Sequence, residues 1–325
     1  MTLSGFPNGI SSMGIPLIGD GIPATFGKVY FVDPDNGSDG NQGREMTKAF
    51  STVSKANSSI TTNKHDVVAM SAVSAHSISS EILVTKNRSH WIGLGGGSRY
   101  MGQRTRWEMG STTTAGTDAI LQNTGVGNTF CNIKFRSTDD LSTSLYAVAD
   151  GGEFSQYTFC SMEKDEDLNQ TTAAELLCNT DTGYYLHCSI GNTIYARSVA
   201  RACILLTRET ITGKVCRDTI FEDCIVQNNA GATTVLHVYG ANANDVERLL
   251  WFKKCIFWTS AASAATQAVA FSFGAAQTVG DILLDGCTTH GPTDTCVDGG
   301  VAVGIFTNSS AKADDATDSL QAGAS

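Results

Sequence analysis

The feature that most limits what this chain can fold into is a six-residue frame, apolar-x-x-Cys-x-apolar, that returns at near-regular intervals. It reads Phe221-Glu222-Asp223-Cys224-Ile225-Val226 and comes back as Phe252-Lys253-Lys254-Cys255-Ile256-Phe257, Tyr185-Leu186-His187-Cys188-Ser189-Ile190 and Tyr157-Thr158-Phe159-Cys160-Ser161-Met162. An earlier copy beginning at Phe130 carries Ile133 in place of the Cys, and a later one beginning at Leu284 ends polar. The central positions 133, 160, 188, 224, 255 and 287 are 27, 28, 36, 31 and 32 residues apart. A second track of apolar runs, near Ile120, Ala147, Leu176, Ile204, Leu236, Phe271 and Val303, keeps step with the first, so each repeat supplies at least two short strands. Self-similarity of this kind marks a stacked solenoid, whose units bury their apolar faces only against neighbours. Within the frame the closing positions alternate as a strand does, and the two mostly polar residues before the Cys break the alternation as a corner would. The pattern predicts an all-β, single-stranded right-handed parallel β-helix, and disfavours helical arrays, propellers and sandwiches.

A solenoid grows by adding coils, so 325 residues predict one elongated domain rather than two. The expected layout is an extended arm at 1–27, the β-helix at 28–306 and an acidic, small-residue tail at 307–325. The net charge of −10 leaves no basic stripe for a nucleic-acid backbone, and no run approaches the length of a membrane span. The first residues lack the basic start and compact apolar core of a secretory signal, so the ten Cys are expected as thiols, not disulfides. Cys160, Cys188, Cys224, Cys255 and Cys287 share one inward position, which predicts a buried thiol stack. Paired CxxC motifs and interleaved His are missing, so neither a metal nor another cofactor is expected. The His residues are scattered, and Trp251 and Trp258, flanking Cys255, suit either sugar stacking or sealing of the solenoid.

The arm holds three of the five prolines and an apolar set, Phe6, Ile10, Met13, Ile15, Leu17, Ile18, Ile22 and Phe26, with Asp20 as its single charge. Pro and Gly at this density exclude a long helix or a regular strand, while the apolar side chains need a surface. That surface is either the end of its own solenoid or another protein. A strand at Lys28–Val32 leads into the turn-rich loop Asp33–Gly43, which lacks calcium-loop spacing. A short helix is expected over Phe50–Ala56, capped by Ser51. Strands follow at Asp66–Met70, Ile82–Val84 and Trp91–Gly96.

The order of strand, Asn36-Gly37-Ser38-Asp39-Gly40 loop, Phe50-Ser51-Thr52-Val53, Asp66-Val67-Val68 and Trp91-Ile92-Gly93-Leu94-Gly95 resembles the opening of the pectate-lyase-like β-helix superfamily over about residues 28 to 306. The segment Gly5-Phe6-Pro7-Asn8-Gly9-Ile10, leading through Ile22-Pro23-Ala24-Thr25-Phe26 into Tyr30-Phe31-Val32-Asp33, is similar to tailed-bacteriophage virion proteins of that fold. The resemblance implies a non-enzymatic virion subunit, assembled in the host bacterial cytoplasm. Such a subunit decorates or stabilises the capsid, works as a homotrimer, and docks through its arm on the major capsid protein or another virion protein.

The alternative is a tailspike-like polysaccharide-degrading or glycan-binding β-helix. Hydrolysis of a glycosidic bond needs two carboxyl groups facing one groove, ~5–10 Å apart. Asp139-Asp140, Asn179-Thr180-Asp181 and His290-Gly291 resemble polygalacturonase motifs, giving Asp139, Asp140, Asp181 and His290 as catalytic candidates. Their order differs from that family's, and no Arg-Ile-Lys follows. Arg197, Arg201, Arg208 and Arg217 lie on neighbouring coils. Glu163 and Asp165–Asp167, beside Lys164, are expected in a solvated loop.

Overall fold

A computed structural model describes residues 27–95, 102–110, 119–138, 145–164, 173–194, 202–206, 214–230, 236–242, 244–261, 269–273, 280–291, 294–298 and 305–307, with the backbone of 11–12 and 15–16. The chain winds through three parallel sheets. The first has ten strands, from Val29–Val32 to Ile305–Thr307; the second has eight, from His76–Ser77 to Thr288–His290; the third has eight, from Ile82–Val84 to Asp294–Asp298. Each strand pairs with its counterparts one coil before and one coil after, so each full coil adds three strands where the repeat pattern predicts at least two. The Cys frame straddles the passage from first to second sheet, and the second track is the third sheet. Its expected last member, Val303, lies outside the described residues; the strand beside Val269–Phe273 is Asp294–Asp298. A strand reading Asp-Thr-Cys-Val-Asp offers too few apolar residues to be found by hydropathy.

Register explains the core. Trp91, Phe130, Tyr157, Tyr185, Phe221 and Phe252 fall opposite one another on successive strands of the first sheet, all fully buried. Their rings stack with centroids 6.2, 4.8, 5.0, 4.4 and 4.8 Å apart along the series. Burial stabilises by roughly 1.5–3 kcal/mol per large side chain, and stacking adds about 0.5–1.5 kcal/mol per pair.

The residue just before each Cys makes the corner. Asn132, Phe159, His187, Asp223, Lys254 and Gly286 all have φ between 52° and 63°, the left-handed region. This turns the chain sharply and lets the N–H of Asn132, Phe159, His187, Asp223 and Lys254 donate to a carbonyl of the next coil at 2.7–3.0 Å. Ile133 and the five Cys follow, pointing inward and buried, so the predicted stack is present. Each thiol donates back to the preceding coil: Cys160 to Phe130 O, Cys188 to Tyr157 O, Cys224 to Tyr185 O, Cys255 to Phe221 O and Cys287 to Phe252 O, at 3.1–3.4 Å.

At the N-terminal end, helix α1 spans Val53–Ser59 with Val53 and Ala56 buried. Its cap is Thr52, whose hydroxyl accepts from Lys55 N at 3.1 Å; Ser51, the expected cap, instead gives its N–H to Asp39. Phe50 pairs with Val32 outside the helix and stacks on Tyr30. In the arm, Ser11–Ser12 pairs antiparallel with Ile15–Pro16. Phe6, Ile10, Leu17, Ile18, Ile22 and Phe26 lie outside the described residues, as do the side chain of Ile15 and the tail beyond 307.

Candidate functional site

A second column of left-handed residues sits at the entry to the first-sheet strands, His65, Arg88, Gly127, Phe154, Thr182, Asp218 and Arg248, and from Arg88 on the chain arrives there from the third sheet. The residue after each turns inward and is mostly small, polar and buried, as at Asp66, Ser89, Asn128, Ser155 and Thr219. Because the coils stack in register, outward side chains at this corner come to lie one strand spacing apart, ~4.8 Å. Glu153 bridges to Asp181, and Asp181 to Arg217, while Arg217 pairs with Glu247.

Those positions carry a line of alternating charge. Arg217 Nη1 lies 3.0 Å from Asp181 Oδ2, and its other donors hold the Glu247 carboxylate. Arg248 Nη2 reaches Asp218 Oδ2 at 2.6 Å and Asp181 Oδ1 at 3.9 Å, so one guanidinium spans two carboxylates. Lys214 Nζ meets Glu153 Oε1 at 3.0 Å. The bond to Glu247, then the field of Asp181, holds the Arg217 guanidinium above its ordinary pKa.

The outer face of the first sheet continues the line. Glu222 accepts from Lys253 Nζ and from Tyr184 Oη, both at 2.7 Å. Lys253, then Tyr184, keeps the Glu222 carboxyl below its usual range, and Glu222 in turn raises Lys253. Burial, then the bond to Glu222, raises the Tyr184 phenol. Trp251 shares this face, with Lys253 Nζ 5.8 Å from its ring centre. These groups set paired, fixed charges beside an aromatic surface.

Beneath the corner sits a buried polar knot. Asp150 accepts from Asn123 Nδ2 at 2.9 Å, Gly152 N at 3.2 Å, Ser155 Oγ at 2.5 Å and Tyr185 Oη at 2.7 Å. Burial nevertheless pushes its carboxyl above the ordinary value, against those four donors. Cys178 and Cys216, fully buried nearby, have sulfurs 3.9 Å apart.

Of the catalytic candidates, Asp181 lies in the charge line, with Arg217 as its partner. His290 does not join it. It is exposed on the far side, in the second sheet, paired with Trp258 in register. Asp139, Asp140, Arg197, Arg201, Arg208 and Asp165–Asp167 fall outside the described residues. Glu163 and Lys164 are not in a solvated loop: both are buried in the strand Ser161–Lys164, where Glu163 binds Lys134 at 2.7 Å and Ser161 Oγ at 2.6 Å. Asp218, Glu247 and Arg248 went unnoticed in the sequence, since their spacing becomes meaningful only once the register is known. Among the described residues no group of three or more His, Cys, Asp or Glu could hold a metal, and no helix is long and apolar enough to cross a membrane.

No family model and no curated protein matches the sequence. Solved structures do resemble it. The pectin methylesterase from Aspergillus niger, in deglycosylated form, is 12% identical with a TM-score of 0.58, over 93% of this chain and 92% of that one. Pectin methylesterase PemA from Erwinia chrysanthemi is 11% identical, TM-score 0.56, over 91% and 92%. Pectate lyase Pel9A is 10% identical, TM-score 0.55, over 91% and 81%. At such identity the likeness shows the shared right-handed parallel β-helix. The expectation of a non-enzyme is nonetheless overturned: these structural neighbours, with a rhamnogalacturonan lyase, are carbohydrate-active enzymes. The capsid-decorating expectation gains no support from them.

Proposed function

We propose that the chain is a polysaccharide-degrading β-helix that engages an acidic glycan along the corner between third and first sheets. The observation that carries this reading is Arg248 spanning Asp181 and Asp218, with Arg217 holding Asp181 and Glu247 beside it. One guanidinium nitrogen touching both aspartates sets their carboxylates within a few ångströms of each other, the scale on which a pair of carboxyl groups can attack and protonate a glycosidic bond. Arg248 is exposed enough to take a sugar carboxylate in place of Asp218, which frees that aspartate to act on the substrate. Arg217 keeps Asp181 oriented, and Glu222 with Lys253 extends the grip along the strand. In this reading residues 1–27 attach the β-helix to a virion, and the working unit is a tailspike-like homotrimer.

The test is incubation of the full chain with polygalacturonate, pectin, rhamnogalacturonan and bacterial capsular polysaccharides, following new reducing ends and unsaturated products. One substrate is expected to be cleaved, with Asp181→Asn and Asp218→Asn each lowering the rate about a hundredfold or more. Failure to bind or cleave any of them, together with tight binding to phage heads stripped of accessory proteins, overturns the reading.

A further inference from the structure

Phe154 is out of keeping with the corner it occupies. Its side chain is among the large apolar ones left exposed, at 59%, and its φ of 53° is one that a bulky residue adopts only at a conformational cost. Six other residues hold the same left-handed position, and all six are Gly or polar: His65, Arg88, Gly127, Thr182, Asp218 and Arg248. The backbone therefore does not ask for a phenyl ring. Nor does the core, which the ring does not enter.

What the residue's backbone does adjoin is the charge line. The Phe154 N–H donates to Asp181 O at 2.9 Å, and Glu153 pairs with Asp181 across the coils. A second departure lies on the opposing segment. Asn179, fully buried, leaves both amide atoms without a partner among the described residues. The Thr180 hydroxyl, between Asn179 and Asp181, bonds inward to Gly152 O and meets Ser155 Oγ at 3.1 Å. Both breaches of ordinary packing thus fall on the two segments that meet at Asp181, and such breaches gather at functional sites.

We propose that Phe154 is a stacking platform for one sugar ring, placed at the Glu153 end of the charge line, one coil before Asp181. The apolar face of a pyranose lies against the phenyl ring, as flat apolar surface does on aromatic side chains. The next ring along the glycan then lies over Asp181 with its carboxylate toward Arg248, whose side chain is 59% exposed. This rests on the acidic-glycan reading above and adds a specific subsite to it.

The corner itself supplies a clean variant. Phe154→Gly removes the ring and puts in its place the residue that takes φ near 53° without strain, so the fold is kept. Binding of hexagalacturonate and polygalacturonate by calorimetry, with the thermal unfolding midpoint of each protein, decides the matter. The expected result is an affinity at least tenfold weaker for Phe154→Gly with its midpoint unchanged or raised, and near wild-type affinity for Phe154→Trp. Equal affinity of wild type and Phe154→Gly overturns the platform and leaves the acidic-glycan reading standing. The same comparison is run on whichever of the polysaccharides named above the wild type binds, and failure of the wild type to bind any of them overturns that reading, and the platform with it.

Discussion

The two corners of the coil use the same backbone device for different ends. At both, a left-handed residue turns the chain and its N–H reaches a carbonyl of the next coil, as with Asp223 to Lys253 O and Thr182 to Arg217 O. Between first and second sheets the next residue is Ile133 or a Cys, coil after coil, because the same interior slot is filled each time. Between third and first sheets the next residue varies, and the outward positions carry Asp181, Arg217, Glu247 and Arg248 in ion pairs. One corner is repetitive because packing dictates it. The other is irregular, and its irregular positions are where chemistry can be placed.

The sharpest way to break this contrast is to cut into the repetitive side. Phe221→Ala, which opens the aromatic stack, is expected to cost about 3–5 kcal/mol in urea unfolding. A loss below 1 kcal/mol would mean that the stack is not what holds successive coils together. Acid probes the irregular side. His90, at the start of a first-sheet strand, has its pKa lowered to about 4 by burial, then by neighbouring His65. A folded value below the unfolded one gives stability that is present above pH ~6.5 and lost as the pH falls towards 4, on the order of 3 kcal/mol. Unfolding midpoints across that range should show the limb, and His90→Asn should flatten it. Lys254→Gly relieves a left-handed lysine and is expected to gain up to about 1 kcal/mol. A loss there would show that Lys254 does more than turn the corner. The smallest effect on folding is expected from Arg217→Gln, which should leave the unfolding midpoint in place while slowing the glycan cleavage proposed above, measured by release of reducing ends.

The legibility of the sequence follows the same division. Ile133, Cys160, Cys188, Cys224, Cys255 and Cys287 announced the fold because a stacked interior demands like residues at like positions. The third sheet was traceable through Leu176, Ile204 and Phe271 but lost at its polar end. Thr52 rather than Ser51 caps α1 because the helix begins only at Val53, with Thr52 the last extended residue before it and its hydroxyl accepting from Lys55 N. Asp181 was visible as part of Asn-Thr-Asp, yet its partners were not. Arg217 and Arg248 lie 36 and 67 residues away in the sequence and meet it only through the coil register.

The back-donation of the thiols gives the solenoid a direction of growth. Each Cys hydrogen-bonds to a carbonyl already set in place by the coil before it, and none of the five looks forward for its acceptor. A chain leaving the ribosome can therefore template each new turn on the finished one, closing every thiol bond as it forms. Removing coils from the C-terminal end leaves all earlier thiols with both their acceptors, while removing them from the other end leaves the newly exposed thiol only the carbonyl two residues before it.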